Sequence, residues 1–112
     1  MQWLWCWRCR AEMPMLDDRE FAEISNLHRD GMRATKEFRQ RMGVPLENAS
    51  LRERMAPMLS HYERLTGYKE TNPNAVMHHQ LSLYGPPCKH CAKPLRTPQA
   101  KLCGSCMFPV ER

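Results

Sequence analysis

Residues 88–106 read CKHCAKPLRTPQAKLCGSC, in which two Cys-x-x-Cys pairs are separated by eleven residues. A tight turn between two cysteines points both thiolates at one tetrahedral ion, whereas disulfides do not require this regular spacing. Pro94 and Pro98 stiffen the loop between the pairs, and its basic residues can neutralise an anionic metal cluster. The spacing therefore predicts a structural zinc ribbon. Its four ligands would be Cys88, Cys91, Cys103 and Cys106.

A third Cys-x-x-Cys pair, Cys6 and Cys9, lies near the start of the chain. We predict that it is half of a second zinc site, completed by the adjacent histidines His78 and His79. Other interpretations stay open at this level. The pair could be completed by a second copy of the chain, could join one of the distal pairs in place of the other, or could pack as thiols in the core.

Two further interpretations of the first pair involve reactivity. A redox dithiol should open a helix after a strand, but Pro14 follows too soon for a helix beginning at Trp7. A catalytic zinc would use both cysteines, one histidine and a water molecule. The chain has no phosphate-binding glycine loop, dinucleotide fingerprint, His-Glu-x-x-His motif or nucleophile elbow. We therefore predict that the protein is not an enzyme.

The segment 72–106, NPNAVMHHQLSLYGPPCKHCAKPLRTPQAKLCGSC, resembles the C-terminal part of small, uncharacterised bacterial zinc-ribbon proteins. The resemblance is confined to the GPPCxxC…CxxC pattern within about a third of the chain. It implies a fold element and a bacterial cytoplasmic setting, and no activity. A glycine commonly follows the second cysteine of such a knuckle, where this chain has Ala92 and Met107. Both residues tolerate a left-handed backbone poorly.

The region between the cysteine pairs predicts helices. Apolar residues recur at helical spacing after Asp17, which is a good N-cap, until Gly43 ends the helix. A second apolar stripe begins after the N-cap Ser50 and ends at Gly67. Pro57 in this second stripe predicts a kink or two short helices. The two stripes together predict a helical hairpin.

Alternating apolar residues predict a strand near each end of the chain, in residues 1–7 and 79–84. Pairing of these strands would bring the two ends of the chain together. The predicted fold is therefore α+β: a two-helix hairpin packed on a small antiparallel sheet, with a four-cysteine zinc ribbon at the C-terminus. We predict a single domain, residues 1–112. Its parts are an N-terminal strand and knuckle (1–16), the helical hairpin (17–67), and a strand with the zinc ribbon (68–112).

Basic residues exceed acidic ones, with 17 Lys and Arg against 12 Asp and Glu and a net charge of +5. The excess lies in residues 71–112, which contain five basic residues and one acidic residue. A zinc ion held by four thiolates would lower the net charge of the chain to about +3. The basic segment could still bind nucleic acid, with Tyr84 or Phe108 stacking on bases. Its candidate phosphate contacts are Lys89, Lys93, Arg96 and Lys101.

The composition, 42% hydrophobic and 26% charged, is that of a globular protein. No apolar run reaches the roughly 18 residues of a membrane span, and no secretory signal is visible, so we expect a cytoplasmic protein. Trp3, Trp5 and Trp7 share one face of the first strand, where they fit core packing or anchor a protein partner. We predict a zinc protein that acts by protein–protein binding, as an adaptor or a toxin-neutralising immunity protein. The alternative is a nucleic-acid-binding regulator.

Overall fold

The computed structural model describes residues 1–45 and 51–111. The chain divides into two compact units. The terminal unit comprises Met1–Asp18 and His78–Arg112, and the helical unit comprises Arg19–Met77. The architecture is α+β, with helices and one two-stranded antiparallel sheet, as predicted. The assignment of all 112 residues to one domain stays a prediction.

The sheet of the terminal unit is a local hairpin. Strand β1 (Gln2–Cys6) pairs antiparallel with β2 (Ala11–Met15), and Cys6 lies opposite Ala11 beside the turn. Pro14 is tolerated in β2 because both strands of a two-stranded sheet are edge strands. We had expected β1 to pair with residues 79–84, and this expectation is wrong. The first cysteine pair therefore lies at the tip of the hairpin.

Residues 79–84 form one backbone bridge with the N-terminal segment instead of a strand. Leu16 and Gln80 form a single parallel bridge, and Leu81–Leu83 form a 3-10 helix. The pairing stops there because the chain turns into a helix at Asp18, which leaves no further extended backbone to pair with. The Gln80 side chain donates to Asp18 Oδ1 at 3.0 Å, and this hydrogen bond lowers the pKa of the Asp18 carboxyl.

The C-terminal ribbon has little regular structure. Its two turns are closed by isolated antiparallel bridges, Pro87 with Pro94 and Leu102 with Pro109. A small core centres on Leu95, which is 2% exposed. Two of the four ribbon cysteines share that core, and Trp7 from the first hairpin packs against it. The core of the ribbon is therefore formed by its cysteines and Leu95, with Trp7 of the N-terminal segment packed against it.

The helical unit contains four helices in the described residues. Helix α1 (Asp18–Met42) begins after Asp17, as predicted. The second apolar stripe forms α2 (Leu51–Arg54) and α3 (Ala56–Thr66). This is one of the two predicted outcomes of Pro57, which lies in the first turn of α3, where a missing N–H is harmless. The predicted N-cap Ser50 lies outside the described residues. A short helix α4 (Pro73–Val76) follows.

The helices of this unit pack through small and flexible residues. Gly31 of α1 lies against the junction of α2 and α3, where a Cβ atom would come within 2.8 Å of both the Arg54 carbonyl oxygen and the Met55 sulfur. Met58 and Tyr62 of α3 are fully buried. No described helix combines the length and apolar character that crossing a bilayer requires.

Candidate metal sites

The three Cys-x-x-Cys turns have the same backbone conformation. In each turn the residue after the second cysteine has a positive φ: 55° at Arg10, 68° at Ala92 and 63° at Met107. The N–H of that residue donates to the carbonyl of the first cysteine at 2.8, 2.8 and 3.0 Å respectively. The turn therefore forms without the glycine that the sequence lacks. A left-handed residue other than glycine costs roughly 1–2 kcal/mol, which other interactions must offset.

Each turn also directs backbone N–H groups at the first sulfur. The Sγ atoms of Cys6, Cys88 and Cys103 accept from N–H groups two or three residues later, each at 3.4 Å. Hydrogen bonds to sulfur favour the thiolate over the thiol. The Cys91 N–H is the largest cause of the lowered pKa of Cys88. In the ribbon, backbone N–H groups thus favour the anionic sulfur of Cys88 and Cys103, which is the form that binds metal.

The ribbon cysteines Cys88, Cys91, Cys103 and Cys106 converge on one point. Their sulfurs all lie within 4.8 Å of one another. Cys88 and Cys106 are 3.7 Å apart, and Cys91 and Cys103 are 3.6 Å apart. A tetrahedral zinc with Zn–S bonds of about 2.3 Å requires sulfurs about 3.8 Å apart. The group therefore fits zinc in both donor type and spacing.

The pKa values of Cys103 and Cys106 shift in opposite directions. The Cys106 N–H, the largest cause, lowers the pKa of Cys103 to about 6. The Phe108 N–H acts in the same direction on Cys106, but burial and contacts with the other three sulfurs outweigh it and raise the pKa to about 11. Four thiolates this close repel one another unless a cation is present. The arrangement is thus one that a divalent cation stabilises.

A second group combines Cys6 and Cys9 with His78 and His79, and its ligand atoms also lie within 4.8 Å of one another. Cys9 Sγ is 3.5 Å from His78 Nε2 and 3.4 Å from His79 Nε2. Tetrahedral zinc places a sulfur and a nitrogen ligand about 3.5 Å apart. The structure therefore brings together the four residues that we predicted for a second site, all from one chain.

The burial of His79 suits it to metal binding. The side chain is fully buried, and this burial, aided by His78, lowers its pKa to about 4. The imidazole is therefore neutral near pH 7, as a metal ligand must be. The two imidazole rings meet edge to face, with centroids 4.8 Å apart. The bridge at Leu16 and Gln80 holds these histidines beside the hairpin, because the Leu16 N–H donates to the His79 carbonyl at 2.8 Å.

Tyr84 connects the two halves of this second group. Its hydroxyl donates to the His78 carbonyl at 3.0 Å and lies 3.6 Å from Cys6 Sγ. Burial, followed by the contact with Cys6, raises the pKa of Tyr84, so the hydroxyl keeps its proton. From the sequence, Tyr84 was a candidate for stacking on bases and not for the metal site. No spacing rule links a tyrosine at this position to either ligand pair, so sequence alone gave no signal for this role.

The tryptophans of the predicted protein-binding face differ in exposure. Trp3 is 47% exposed, whereas Trp5 and Trp7 are half-buried. Trp7 Nε1 donates to the Pro94 carbonyl at 2.9 Å. Lys93 lies over the Trp5 ring at 4.2 Å. Trp5 and Trp7 therefore connect the N-terminal hairpin to the ribbon, and Trp3 is the more accessible candidate anchor.

The four candidate phosphate-binding residues also differ. Lys89 and Lys101 are exposed, and Lys93 is half-buried beside Trp5, where it donates to Ser105 Oγ at 3.1 Å. The Arg96 guanidinium lies over the Trp7 ring at 5.0 Å. Two of the four basic groups therefore contact tryptophan rings of the same unit.

Comparison of the chain with protein-family models, with curated proteins and with solved structures gives no significant match. The resemblance to bacterial zinc-ribbon proteins therefore holds only at the level of the motif. What the structure supports is a four-cysteine cluster like that of a zinc ribbon, and a second group of two cysteines and two histidines.

Proposed function

We propose that the chain is a non-enzymatic zinc protein that holds two structural zinc ions in its terminal unit and acts by binding another protein. Cys88, Cys91, Cys103 and Cys106 would hold one ion. Cys6, Cys9, His78 and His79 would hold the other. The observation that carries the zinc assignment is the convergence of two complete ligand sets at tetrahedral spacing in one small unit.

The ligand count supports a structural role for both ions. A catalytic zinc keeps one position open for water, whereas each of these groups offers four protein ligands. The second group uses both histidines, so the predicted alternative of two cysteines, one histidine and water is disfavoured. None of the six cysteines, all of which lie in the described residues, forms a disulfide. Zinc here would supply folding free energy, since such sites rarely preform in an unfolded chain.

The charge of the terminal unit favours a protein partner over nucleic acid. The unit carries seven basic and four acidic residues, a net charge of +3. Two zinc ions and six thiolates change this by about −2, which leaves roughly +1. Strong polyanion binding depends on many uncompensated basic groups. An almost neutral unit is better suited to binding a protein through apolar contacts, whose strength depends little on salt.

The apolar surface of the ribbon supports the same choice. A groove of about 360 Å³ runs beside the first ribbon turn. Its apolar walls are Pro86, Pro87, Leu95, Phe108, Pro109 and Val110, and we call it the ribbon groove. Phe108 is 43% exposed and its ring stacks on His90, with centroids 5.0 Å apart. Aromatic residues in apolar clefts are the usual anchors of protein interfaces. The partner would therefore insert an apolar side chain into the ribbon groove.

Native mass spectrometry of the protein purified gently from its own host tests the proposal. We expect two zinc ions per chain and a retained protein partner. The affinity of that identified partner should change little between low and moderate salt. Phe108→Ala should make the free energy of binding less favourable by about 2 kcal/mol or more, as expected for a central anchor. The matched control is Met42→Ala, because Met42 is also an exposed apolar side chain but belongs to the helical unit.

Two results would contradict the proposal. An affinity that falls by orders of magnitude with salt, for a partner that nuclease removes, would favour the nucleic-acid alternative. A content of one zinc ion per chain, or none, would contradict the two zinc sites on which the proposal depends. The role as an adaptor or as an immunity protein depends on what the partner is, since an immunity protein must inhibit the enzyme that it binds.

A further inference from the structure

A second cavity of the terminal unit, of about 340 Å³, lies between the first cysteine turn and the ribbon. Ligand pockets span roughly 300–1,000 Å³, so this cavity has room for a small molecule. Three separate segments of the chain line it. Its lining residues are Trp7, Arg8, His78, Leu83, Tyr84 and Arg96, and we call it the arginine cavity.

The charge of the arginine cavity is one-sided. Arg8 and Arg96 contribute two guanidinium groups, and no carboxylate is among the lining residues. Within the described part of the chain, neither arginine has an acidic side chain at ion-pair distance. Two guanidinium groups on a cavity without a carboxylate attract an anion, and their planar N–H donors match oxyanions in geometry.

The exposed Arg96 side chain has two contacts within the terminal unit that restrict it. Its guanidinium lies over the Trp7 ring at 5.0 Å. On another side it lies against Gly104, where a Cβ atom would come within 2.8 Å of Arg96 Nε. A guanidinium stacked on a ring keeps its edge N–H groups available for hydrogen bonds. Fixing the side chain in advance reduces the entropy that a ligand would lose on binding.

The two metal-ligand groups fix the rest of the cavity. Trp7 and Arg8 are the two residues between Cys6 and Cys9, and His78 is itself one of the proposed ligands. Tyr84 contacts Cys6 Sγ. The shape of the cavity therefore depends on the metal-bound fold of the terminal unit. Trp7 offers a flat aromatic surface beside the charge, and the 45% exposed Leu83 adds apolar surface.

From this placement we propose that the arginine cavity binds a small phosphate monoester that carries a flat ring. A phosphate monoester has a charge close to −2 near neutral pH, which matches two guanidinium groups. The ring lies against Trp7 and Leu83 while the phosphate accepts hydrogen bonds from Arg8 and Arg96. This ligand site is independent of the protein partner proposed above, which would use the ribbon groove.

NMR titration of the full, zinc-loaded chain with adenosine monophosphate tests the site at constant ionic strength. We expect saturable shifts at the side-chain Nε–Hε groups of Arg8 and Arg96, with a dissociation constant below about 1 mM. Adenosine lacks the charge and inorganic phosphate lacks the ring, so each should bind at least about tenfold more weakly. Arg8→Gln and Arg96→Gln should each weaken the binding of adenosine monophosphate by about tenfold or more.

Two variants separate the cavity from general surface charge. Arg33→Gln removes an exposed arginine of the helical unit and should leave the affinity unchanged. Gly104→Ala keeps every charge but displaces Arg96, and should weaken binding by a smaller factor than Arg96→Gln. Zinc content is measured for each variant, so that loss of the fold is recognised.

Three outcomes would overturn the proposal. One is the absence of shifts in either arginine at about 10 mM ligand, ten times the expected constant. Another is an equal loss of affinity in Arg33→Gln and Arg96→Gln when both retain zinc. The third is an affinity for inorganic phosphate as high as for adenosine monophosphate, which would exclude a ring-bearing ligand.

Discussion

The terminal and helical units are stabilised in different ways. The helical unit buries Met58 and Tyr62 between helices and has no group of metal ligands in its described residues. The terminal unit has one hairpin, isolated bridges and two ligand groups. A unit of about 50 residues rarely stabilises itself through its core alone. The terminal unit does bury Met15, Leu16 and Leu95, and the proposed zinc ions would add to this small core where the chain forms little regular structure.

The largest expected effect is the loss of a ribbon ligand. Cys103→Ser should reduce zinc from two ions to one and unfold the ribbon, because structural zinc contributes on the order of 10 kcal/mol to folding. All three tryptophans lie in the terminal unit, so their fluorescence should report this unfolding. Far-UV circular dichroism, dominated by the helical unit, should change little.

The neighbouring Ser105→Ala is the control for Cys103→Ser. It removes an exposed hydroxyl but keeps the backbone N–H that donates to Cys103 Sγ. It should retain both zinc ions. If helical dichroism disappeared together with the ribbon in Cys103→Ser, the stability of the helical unit would depend on the metal, and the comparison between the two units would fail.

The corresponding change in the helical unit is Met58→Ala. Met58 is fully buried, and truncation of a buried methionine costs about 2–5 kcal/mol. We expect the thermal unfolding of the helices to shift to lower temperature while both zinc ions stay bound. The same truncation at the exposed Met42 should leave the unfolding temperature of the helices almost unchanged. Loss of zinc in Met58→Ala would contradict the separate origins of stability in the two units.

The ligand groups were more predictable from sequence than the backbone that carries them. Cysteine spacing identifies ligands because metal geometry constrains sequence separation directly. The pairing of Cys6 and Cys9 with His78 and His79 needed more than spacing, since nearly seventy residues separate the two pairs. The histidines were predicted as zinc ligands, and the predicted strand pairing would have brought the two ends of the chain together. The observed backbone pairing is a single bridge between Leu16 and Gln80, not the strand pairing that we expected.

Strand β2 was not predicted. Pro14 was used only to exclude a helix beginning at Trp7, although proline is compatible with an edge strand. The helices were predicted well because a period of 3.6 residues is read from local sequence. The stacking of Arg96 on Trp7 depends on Gly104, which is far from Trp7 in the chain. No local pattern encodes such a contact.

A substitution at Tyr84 should weaken metal binding at the second ligand group and not at the ribbon cysteines. Tyr84→Phe removes the hydroxyl that donates to the His78 carbonyl and contacts Cys6. Loss of a residue that orients ligands typically weakens metal binding about 10–100-fold. We expect competition with a chelator to show weaker binding at the second group only. Tyr68→Phe in the helical unit is the control, and equal weakening at both groups in Tyr84→Phe would refute the assignment.

Substitutions at or to glycine should affect the two units in opposite directions. In the helical unit, Gly31→Ala adds a Cβ 2.8 Å from the Arg54 carbonyl oxygen. Alanine gains about 1 kcal/mol of helix propensity, but overpacking against backbone costs about 1–3 kcal/mol. We expect a net loss of about 1 kcal/mol in chemical denaturation of the helices. The exposed Ala34→Ser should change stability by less than about 0.5 kcal/mol. A more stable Gly31→Ala would show that α1 moves away from the junction at no cost.

The opposite substitution should stabilise the terminal unit. Ala92 has a φ of 68°, a conformation that costs alanine roughly 1–2 kcal/mol and glycine almost nothing. Ala92→Gly also makes the unfolded chain more flexible, which offsets about 0.5–1 kcal/mol of the gain. We expect a net stabilisation of about 0.5 kcal/mol, measured by tryptophan fluorescence during denaturation of the zinc-loaded protein. Ala100→Gly, at a half-buried ribbon position without a positive φ, should destabilise. If both variants destabilised the ribbon equally, the left-handed turn would not be the strained element, and zinc binding would have to compensate for another cost.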